Sequence, residues 1–296
     1  MKATKRLFLF AGYDKDNIVD NTLIYYVRAL SKLGDVVFVA DSDLPAAEIK
    51  KISKIPHVLY ASGVRHREYD FGSYKRGYLW AQKSKILSKY DWVYFVNDSV
   101  YGPLYDISLI LSNLENSGAD FVGMTANGDK CTPVHVQSWF IGFSKPVFTA
   151  KFFDNFMQKI THIPGKTSLV LKYEAGLSWL ITRNGFKSHV VIDAEHNKIY
   201  DEPCDVLLRG VPFVKKTAAS RLRRLYFLYP HIDDDLLVDY ISEHMRRHNI
   251  VLQDVERDIY ELRLFGIPLV RIAVKGSSGA HKVYLFNKIP VCKIIK

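Results

Sequence analysis

Short apolar runs rich in β-branched and aromatic residues recur through the first 125 positions, at Leu7–Ala11, Val36–Ala40, Val58–Ala61 and Trp92–Val96. Each is bounded by charged or turn-forming residues, the pattern of a strand buried on both faces. Between them lie stretches with helical spacing, at Asn21–Lys32, Pro45–Ser53 and Ser73–Ser88. In the first of these, Leu23, Tyr26, Val27 and Leu30 fall on one stripe, and Gly34 is expected to stop the helix. Strand–helix–strand alternation predicts an α/β fold, a doubly wound and mainly parallel sheet flanked by helices. Ligands of such sheets bind beyond the carboxyl ends of the strands. Those ends are Gly12-Tyr13-Asp14, Asp41-Ser42-Asp43, Ser62-Gly63 and Asn97-Asp98-Ser99.

The second half predicts strands at Phe121–Met124, Val136–Phe143 and Ser188–Ile192. Helices are expected over Lys151–Lys159 and over Ser168–Arg183, the latter capped by Asn184-Gly185. Residues 193–230 read as irregular, because Pro203, Gly210 and Pro212 interrupt any period. A helix follows over Asp233–His248. In the tail, two similar pieces, Leu264–Ile272 and Leu285–Ile294, flank a Lys275-Gly276-Ser277-Ser278-Gly279 turn and suggest an amphipathic hairpin. The organisation expected is one α/β domain over residues 1–200 and a basic extension over 201–296.

Composition narrows the picture. An apolar fraction of 48% supplies a core and excludes global disorder. No uninterrupted apolar run approaches the roughly 18 residues of a spanning helix. The basic start followed by Leu7–Gly12 is too short, and lacks a cleavage site, to be a signal peptide; it reads as the first strand. Cys131, Cys204 and Cys292 lie far apart, which suits a reducing compartment and argues against a thiolate zinc site. The net charge of +10 is uneven: residues 1–208 carry 25 basic and 22 acidic side chains, and residues 209–296 carry 16 and 9. Arg209–Arg224 holds six cations and no carboxylate, and residues 262–296 hold seven more, again with none. The partners implied are anionic, a phosphorylated acceptor or an acidic lipid surface. No helix-turn-helix, zinc finger or aromatic RNA motif accompanies the cations, so nucleic acid is not expected.

Three segments carry candidate chemistry. Asn97-Asp98-Ser99-Val100-Tyr101-Gly102-Pro103-Leu104 follows a hydrophobic strand directly. There Asp98 either holds a divalent cation against a diphosphate or simply caps a turn. In Arg67-Glu68-Tyr69-Asp70-Phe71-Gly72-Ser73-Tyr74-Lys75, the residues Asp70, Gly72 and Ser73 suit a helix start with free amides. Lys75 adds charge for a phosphate, or is a solvated lysine. In the third segment, Val170, Tyr173, Leu177 and Leu180 share an apolar helix face with Glu174 at its edge, as a surface charge or as a general base. Asp233-Asp234-Asp235 reads as a helix cap. His244 and His248 have metal-ligand spacing, but Glu243 precedes the first histidine where a zinc hydrolase needs a glutamate after it; a solvated face is expected.

Taken together the chain resembles the rhamnan synthesis F family of bacterial polysaccharide proteins. The resemblance rests on Gly12-Tyr13-Asp14 with Ile18-Val19-Asp20, on Tyr69–Lys75 and on Asn97–Leu104. Gln137-Ser138-Trp139-Phe140 and Tyr173-Glu174-Ala175-Gly176-Leu177-Ser178 complete it, in family order across roughly residues 5–195. The resemblance implies a GT-A-like glycosyltransferase that moves rhamnose or another hexose from a nucleotide-sugar donor, with inversion, to a growing cell-surface polysaccharide or lipid-linked saccharide. It implies donor contacts from Tyr13, Asp41, Asp70, Lys75, Asn97, Asp98 and Ser99, acceptor contacts from Ser138 and Trp139, and Glu174 as base. A manganese or magnesium ion is expected at Asp98, although Asn-Asp-Ser stands where Asp-x-Asp is usual. The expected place of action is the cytoplasm, peripheral at the inner membrane, with the basic tail on the anionic surface. The competing reading is a non-catalytic carbohydrate-binding or scaffold module of a polysaccharide assembly.

Overall fold

The structure is a computed structural model. It describes residues 4–128, 132–194, 198–222, 232–234, 236–251, 256–264, 267–275, 281–285 and 289–294. Strands β1 (Arg6–Gly12), β2 (Asp35–Ala40), β3 (Val58–Gly63) and β4 (Trp92–Asn97) pair in parallel in the order β3-β2-β1-β4. Helices α1 (Asn21–Ser31), α2 (Ala46–Ser53) and α3 (Tyr69–Lys83) connect them. A two-residue strand β5 (Val100–Tyr101) and helix α4 (Ser108–Glu115) come next. The sheet then continues through β6 (Phe121–Asn127), β7 (His135–Val136), β8 (Phe140–Ser144) and β9 (Ser188–Ile192). Strand β8 is antiparallel between β4 and β6, and β9 is parallel to β6. Helices α5 (Lys145–Phe148), α6 (Lys151–Gln158), α7 (Lys166–Leu169) and α8 (Gly176–Arg183) lie between β8 and β9, with a π-helical turn at Val170–Ala175. The α/β, mainly parallel sheet flanked by helices expected from the sequence is present.

The strands are continuous in apolar residues because both sheet faces are covered. On one face Phe8, Phe10, Phe38, Tyr94 and Val96 pack with Leu23, Tyr26, Val27 and Leu30 of α1 and with Leu111 and Leu114 of α4. On the other, Leu7, Leu9, Val37, Val93 and Phe95 pack with Phe71, Tyr74 and Tyr78 of α3, Phe153 and Met157 of α6, and Leu177 of α8. The alternation within each strand sorts its side chains to opposite layers. Ile199, Val206, Val211 and Phe213 belong to the first layer, so residues on both sides of position 200 share one core.

Several boundaries differ from expectation for identifiable reasons. The strand expected over Val136–Phe143 is broken at 137–139, where the chain turns to other partners: Trp139 Nε1 donates to Thr125 Oγ1 and the Ser138 amide donates to Glu174. Helix α1 ends at Ser31, before Gly34. The glycine is instead needed for a close approach, since a Cβ there would lie 2.5 Å from the Arg6 carbonyl oxygen. Gly185 does end α8 as expected, at φ 86°.

The segment expected to be irregular contains α9 (Lys198–Asp201), α10 (Pro203–Leu208), β10 (Val214–Lys215) and a 3-10 turn at Lys216–Arg221. Pro203 occupies the first helical position, where a missing N–H costs nothing, and Gly210 at φ 90° ends α10. Helix α11 (Leu236–Arg247) follows. The tail forms a four-stranded antiparallel meander, β11 (Glu256–Leu264), β12 (Ile267–Lys275), β13 (His281–Leu285) and β14 (Ile289–Ile294). The hairpin expected there is β12–β13, but the two similar pieces fall mainly on β12 and β14, which do not pair. Among the described residues no helix is long and apolar enough to cross a membrane.

Candidate functional site

β2 and β4 lie on opposite sides of β1, so the loops after β1 and β4 diverge there, and Ala11 pairs with Asn97 while Gly12 pairs with Ala40. That is the switch point at which open α/β sheets place ligands. A cleft of about 1240 Å³ opens at this edge. Tyr13, Asp41, Asp70, Asn97, Asp98, Ser99, Ser138, Trp139 and Glu174 all line it. Lys75 does not: its ammonium donates to the Ile160 carbonyl at 2.7 Å and ties α3 to the segment after α6.

Hydrogen bonds hold the acidic side of the cleft. The Tyr13 amide donates to Asp98 Oδ2 at 2.9 Å, and the Asp98 amide donates to the Ala11 carbonyl. Asp41 Oδ1 accepts from the consecutive amides of His66 and Arg67 at 2.7 and 2.8 Å, which shapes the loop before α3. Over the exposed Tyr13 ring lies the Arg65 guanidinium, 5.5 Å from the centroid. Asp70 sits in the first turn of α3, which starts four residues earlier than expected, and accepts from Asn97 Nδ2 at 2.7 Å. Burial, then the neighbouring Asp98 charge, pushes the Asp70 carboxyl up to about 7, against the opposing pull of Lys215. Burial also raises Asp98, with Lys216 and the Tyr13 amide working against it.

Glu174 lies in the π-helical turn, where the extra residue of the wider turn changes which side chains face inward. Tyr173 is buried and its hydroxyl donates to the Thr161 carbonyl, while Glu174 reaches the cleft and accepts the Ser138 amide at 2.6 Å. The Ser138 carbonyl in turn accepts from Tyr74 Oη at 3.0 Å. Trp139, only 2% exposed, packs edge-on against Phe213 and is largely a core residue.

The opposite wall comes from residues that sequence patterns did not assign to the site. β10 pairs antiparallel with β5, Val214 opposite Tyr101 and Lys215 opposite Val100, and so carries two lysines to the Asn-Asp-Ser segment. Lys215 Nζ donates to Ser99 Oγ at 2.7 Å and lies over the Trp139 and Tyr200 rings at 5.2 and 5.9 Å. Asn97 Oδ1 accepts both the Ser99 amide and the Ser99 hydroxyl. The carboxylate-free run Arg209–Arg224 was the signal in the sequence; its pairing with β5 was not visible there.

His244 and His248 are not a solvated face. His244 is 6% exposed, shares a 2.5 Å bond between its Nδ1 and Asp20 Oδ2, stacks on His248 at 4.2 Å, and with it lines the cleft. Arg247 donates to Asp14, Asp16 and Asp20 at 2.7, 3.3 and 3.0 Å. Burial alone would raise the Asp20 carboxyl, but the His244 bond, the Lys216 charge and the Leu23 amide outweigh it and hold it well below the usual range. Asp14 is lowered in the same way, the Arg247 bond prevailing over burial. Asp234 accepts the Leu236 amide at 3.0 Å, the cap expected; Asp235 lies outside the described residues.

The expected divalent cation finds no matching ligand set. Among the described residues no group of three or more His, Cys, Asp or Glu side chains converges on one point. At the strand end, Asp98 Oδ2 is already engaged by an amide, the Asn97 oxygen by Ser99, and two ammonium groups stand alongside. These residues do not fit a metal held by the protein.

No curated protein matches the chain in sequence. Among solved structures it is similar to a glycosyltransferase involved in glycosylation of the major capsid of PBCV-1, at 10% identity and TM-score 0.39, over 82% of this chain and 99% of that one. It is similar to core-mannan synthase A of Aspergillus fumigatus in its Mn/GDP form, at 13% identity and TM-score 0.37, over 63% and 72%. It is also similar to a nucleoside-diphosphate-sugar pyrophosphorylase of Vibrio cholerae, at 10% identity and TM-score 0.41, over 69% and 99%. None of these similarities decides the reaction. A family model does match most of the length, from residue 36 to residue 261, and the chain belongs to the family it describes, rhamnan synthesis protein F.

Proposed function

We propose that the chain is a nucleotide-sugar-dependent glycosyltransferase that moves rhamnose or another hexose, with inversion, onto a cell-surface polysaccharide or a lipid-linked saccharide. One observation carries the reading: a single cleft at the carboxyl edge of the sheet gathers nine of the ten residues to which the family resemblance points, Lys75 being the exception. The donor's nucleotide lies along Tyr13, Asp41 and Asp98, and the acceptor enters from the Ser138–Glu174 side. Glu174 takes the proton of the acceptor hydroxyl as its oxygen attacks the anomeric carbon. The bond from that carbon to the phosphate oxygen breaks, and the nucleoside diphosphate leaves. The Ser138 amide orients the carboxylate for this role.

Transfer from a panel of sugar nucleotides tests the proposal, with Glu174→Gln as the decisive variant. The variant should bind nucleotide as before, while its transfer rate falls roughly 10²–10⁴-fold. An unchanged rate removes Glu174 from the chemistry. Glycan binding without turnover of any donor would favour a carbohydrate-binding module instead.

Action at the cytoplasmic face of the inner membrane, with residues 201–296 toward the anionic surface, belongs to the same proposal. The seven cations of residues 262–296 support it, since each contributes about 1 kcal/mol near an anionic bilayer. Flotation with anionic vesicles should fall sharply when Lys275, Lys282, Lys288 and Lys293 are changed to Gln. Equal flotation of both chains removes the membrane from the proposal.

A further inference from the structure

Two consecutive lysines reach the same cleft from a segment that has to change direction to deliver them. Neighbouring residues of a strand face opposite ways. Here β10 ends at Lys215 and the chain enters the 3-10 turn at Lys216, so both side chains line the cleft, with Thr217 and Ser220 beside them. Lys215 is only 6% exposed. Its ammonium is steered by Ser99 Oγ and by the faces of Trp139 and Tyr200, contacts that hold a cation in place. Lys216 lies over the Tyr101 ring at 5.8 Å, and the Lys216 amide donates to the Ser99 carbonyl at 2.9 Å.

We infer that Lys215 and Lys216 neutralise the donor's diphosphate in the place where a divalent cation was expected, so that nucleotide binding needs no metal. The inference rests on the glycosyltransferase reading, which supplies the diphosphate. A dication at Asp98 would meet the charge of Lys216, which acts on that carboxylate, beside the Ser99 hydroxyl that holds the Lys215 ammonium, whereas a diphosphate meets opposite charge there. Asp98 offers a single carboxylate, and the side chains at the two acid positions, Asn97 and Ser99, are spent on each other, on Asp70 and on Lys215. The lysine charges also act on the acids of this wall: Lys216 on Asp98, and Lys215 on Asp70. When the phosphate–carbon bond of the donor breaks, the electron pair stays on the diphosphate, and the same ammonium groups face the added charge.

Calorimetric titration of the full chain with UDP, GDP and dTDP, in EDTA and in excess manganese, tests this. For whichever nucleotide binds, the Kd in EDTA should stay within about threefold of its value in manganese. Lys216→Gln, at a half-buried position, should weaken that Kd about tenfold or more with an unchanged melting temperature, and Lys215→Met should do the same. Binding more than about tenfold tighter with manganese than in EDTA overturns the inference, as does wild-type affinity in Lys216→Gln, and the transferase reading survives either result. Absence of binding by every nucleoside diphosphate, with or without metal, removes the nucleotide-sugar reading itself and the inference with it.

Discussion

The two walls of the cleft are built in opposite ways. One consists of carboxylates at strand and helix ends, Asp41, Asp70 and Asp98, each a few residues from a strand of the central sheet or at the start of α3. The other consists of Lys215, Lys216, His244 and His248, with Arg247 behind them, delivered by β10 and α11. In the first wall burial pushes Asp70 and Asp98 up, and the Asp98 charge adds to the rise at Asp70. The second contacts acids of the β1–α1 loop, Asp14 and Asp20, and pulls them down. Carboxylates of one chain therefore respond to pH with opposite sign, according to whether burial or a directly bonded basic side chain prevails. The acidic wall is held at a cost to stability, and the contacts with the basic wall return some of it.

Removing the cation that spans three acids should give the larger effect. Arg247→Ala leaves Asp14 and Asp20 partly buried without that partner, a loss of about 2 kcal/mol in urea unfolding. Both acids sit below their ordinary 3.8 in the folded chain, so this contribution is present above that value and is lost as pH falls through the lower folded values. The gap between wild type and variant should hold from pH 8 to about 5 and shrink in stronger acid. A gap that does not change with pH would make Arg247 a packing residue only.

Asp70→Asn should show the smaller effect and the opposite sign. The native carboxyl titrates at about 7, against 3.8 as its ordinary value, so stability is fully present below 3.8 and is lost as pH rises through 7. The amide carries no such loss and still accepts from Asn97. The variant should equal wild type near pH 4 and exceed it by a margin that grows as pH rises through 7 to 8 in the same assay. A variant less stable than wild type at pH 8 would show that the Asn97 bond outweighs the cost of charge.

The legible parts of the sequence are those whose cause is local. Strands β1, β2 and β4 announce themselves because both of their faces are buried, β3 being a half-exposed edge, and the residues just past the ends of those three are then at the cleft by geometry alone. Glu174 was found through a helix motif, but the π-helical turn that aims it leaves no mark in hydrophobic spacing. The second wall was missed for physical reasons. Pro203 and Gly210 read as breakers when they start and end a short helix. The two-residue ladder between β5 and β10 is too short to show a period. His244 looked solvated because its partner, Asp20, is 224 positions away.

That separation bears on how the molecule is made. Asp14 and Asp20 are synthesised before the side chains that pair with them, which arrive more than two hundred residues later. A nascent chain can lay down β1 to β4 and bury their faces, yet its first acidic loop stays unmatched until α11 docks. Contacts of such long range close slowly, because the intervening loop entropy is lost before they form. The central sheet is thus a scaffold that precedes its own binding site, and a truncated chain that stops short of α11 should fold in part while lacking a finished cleft.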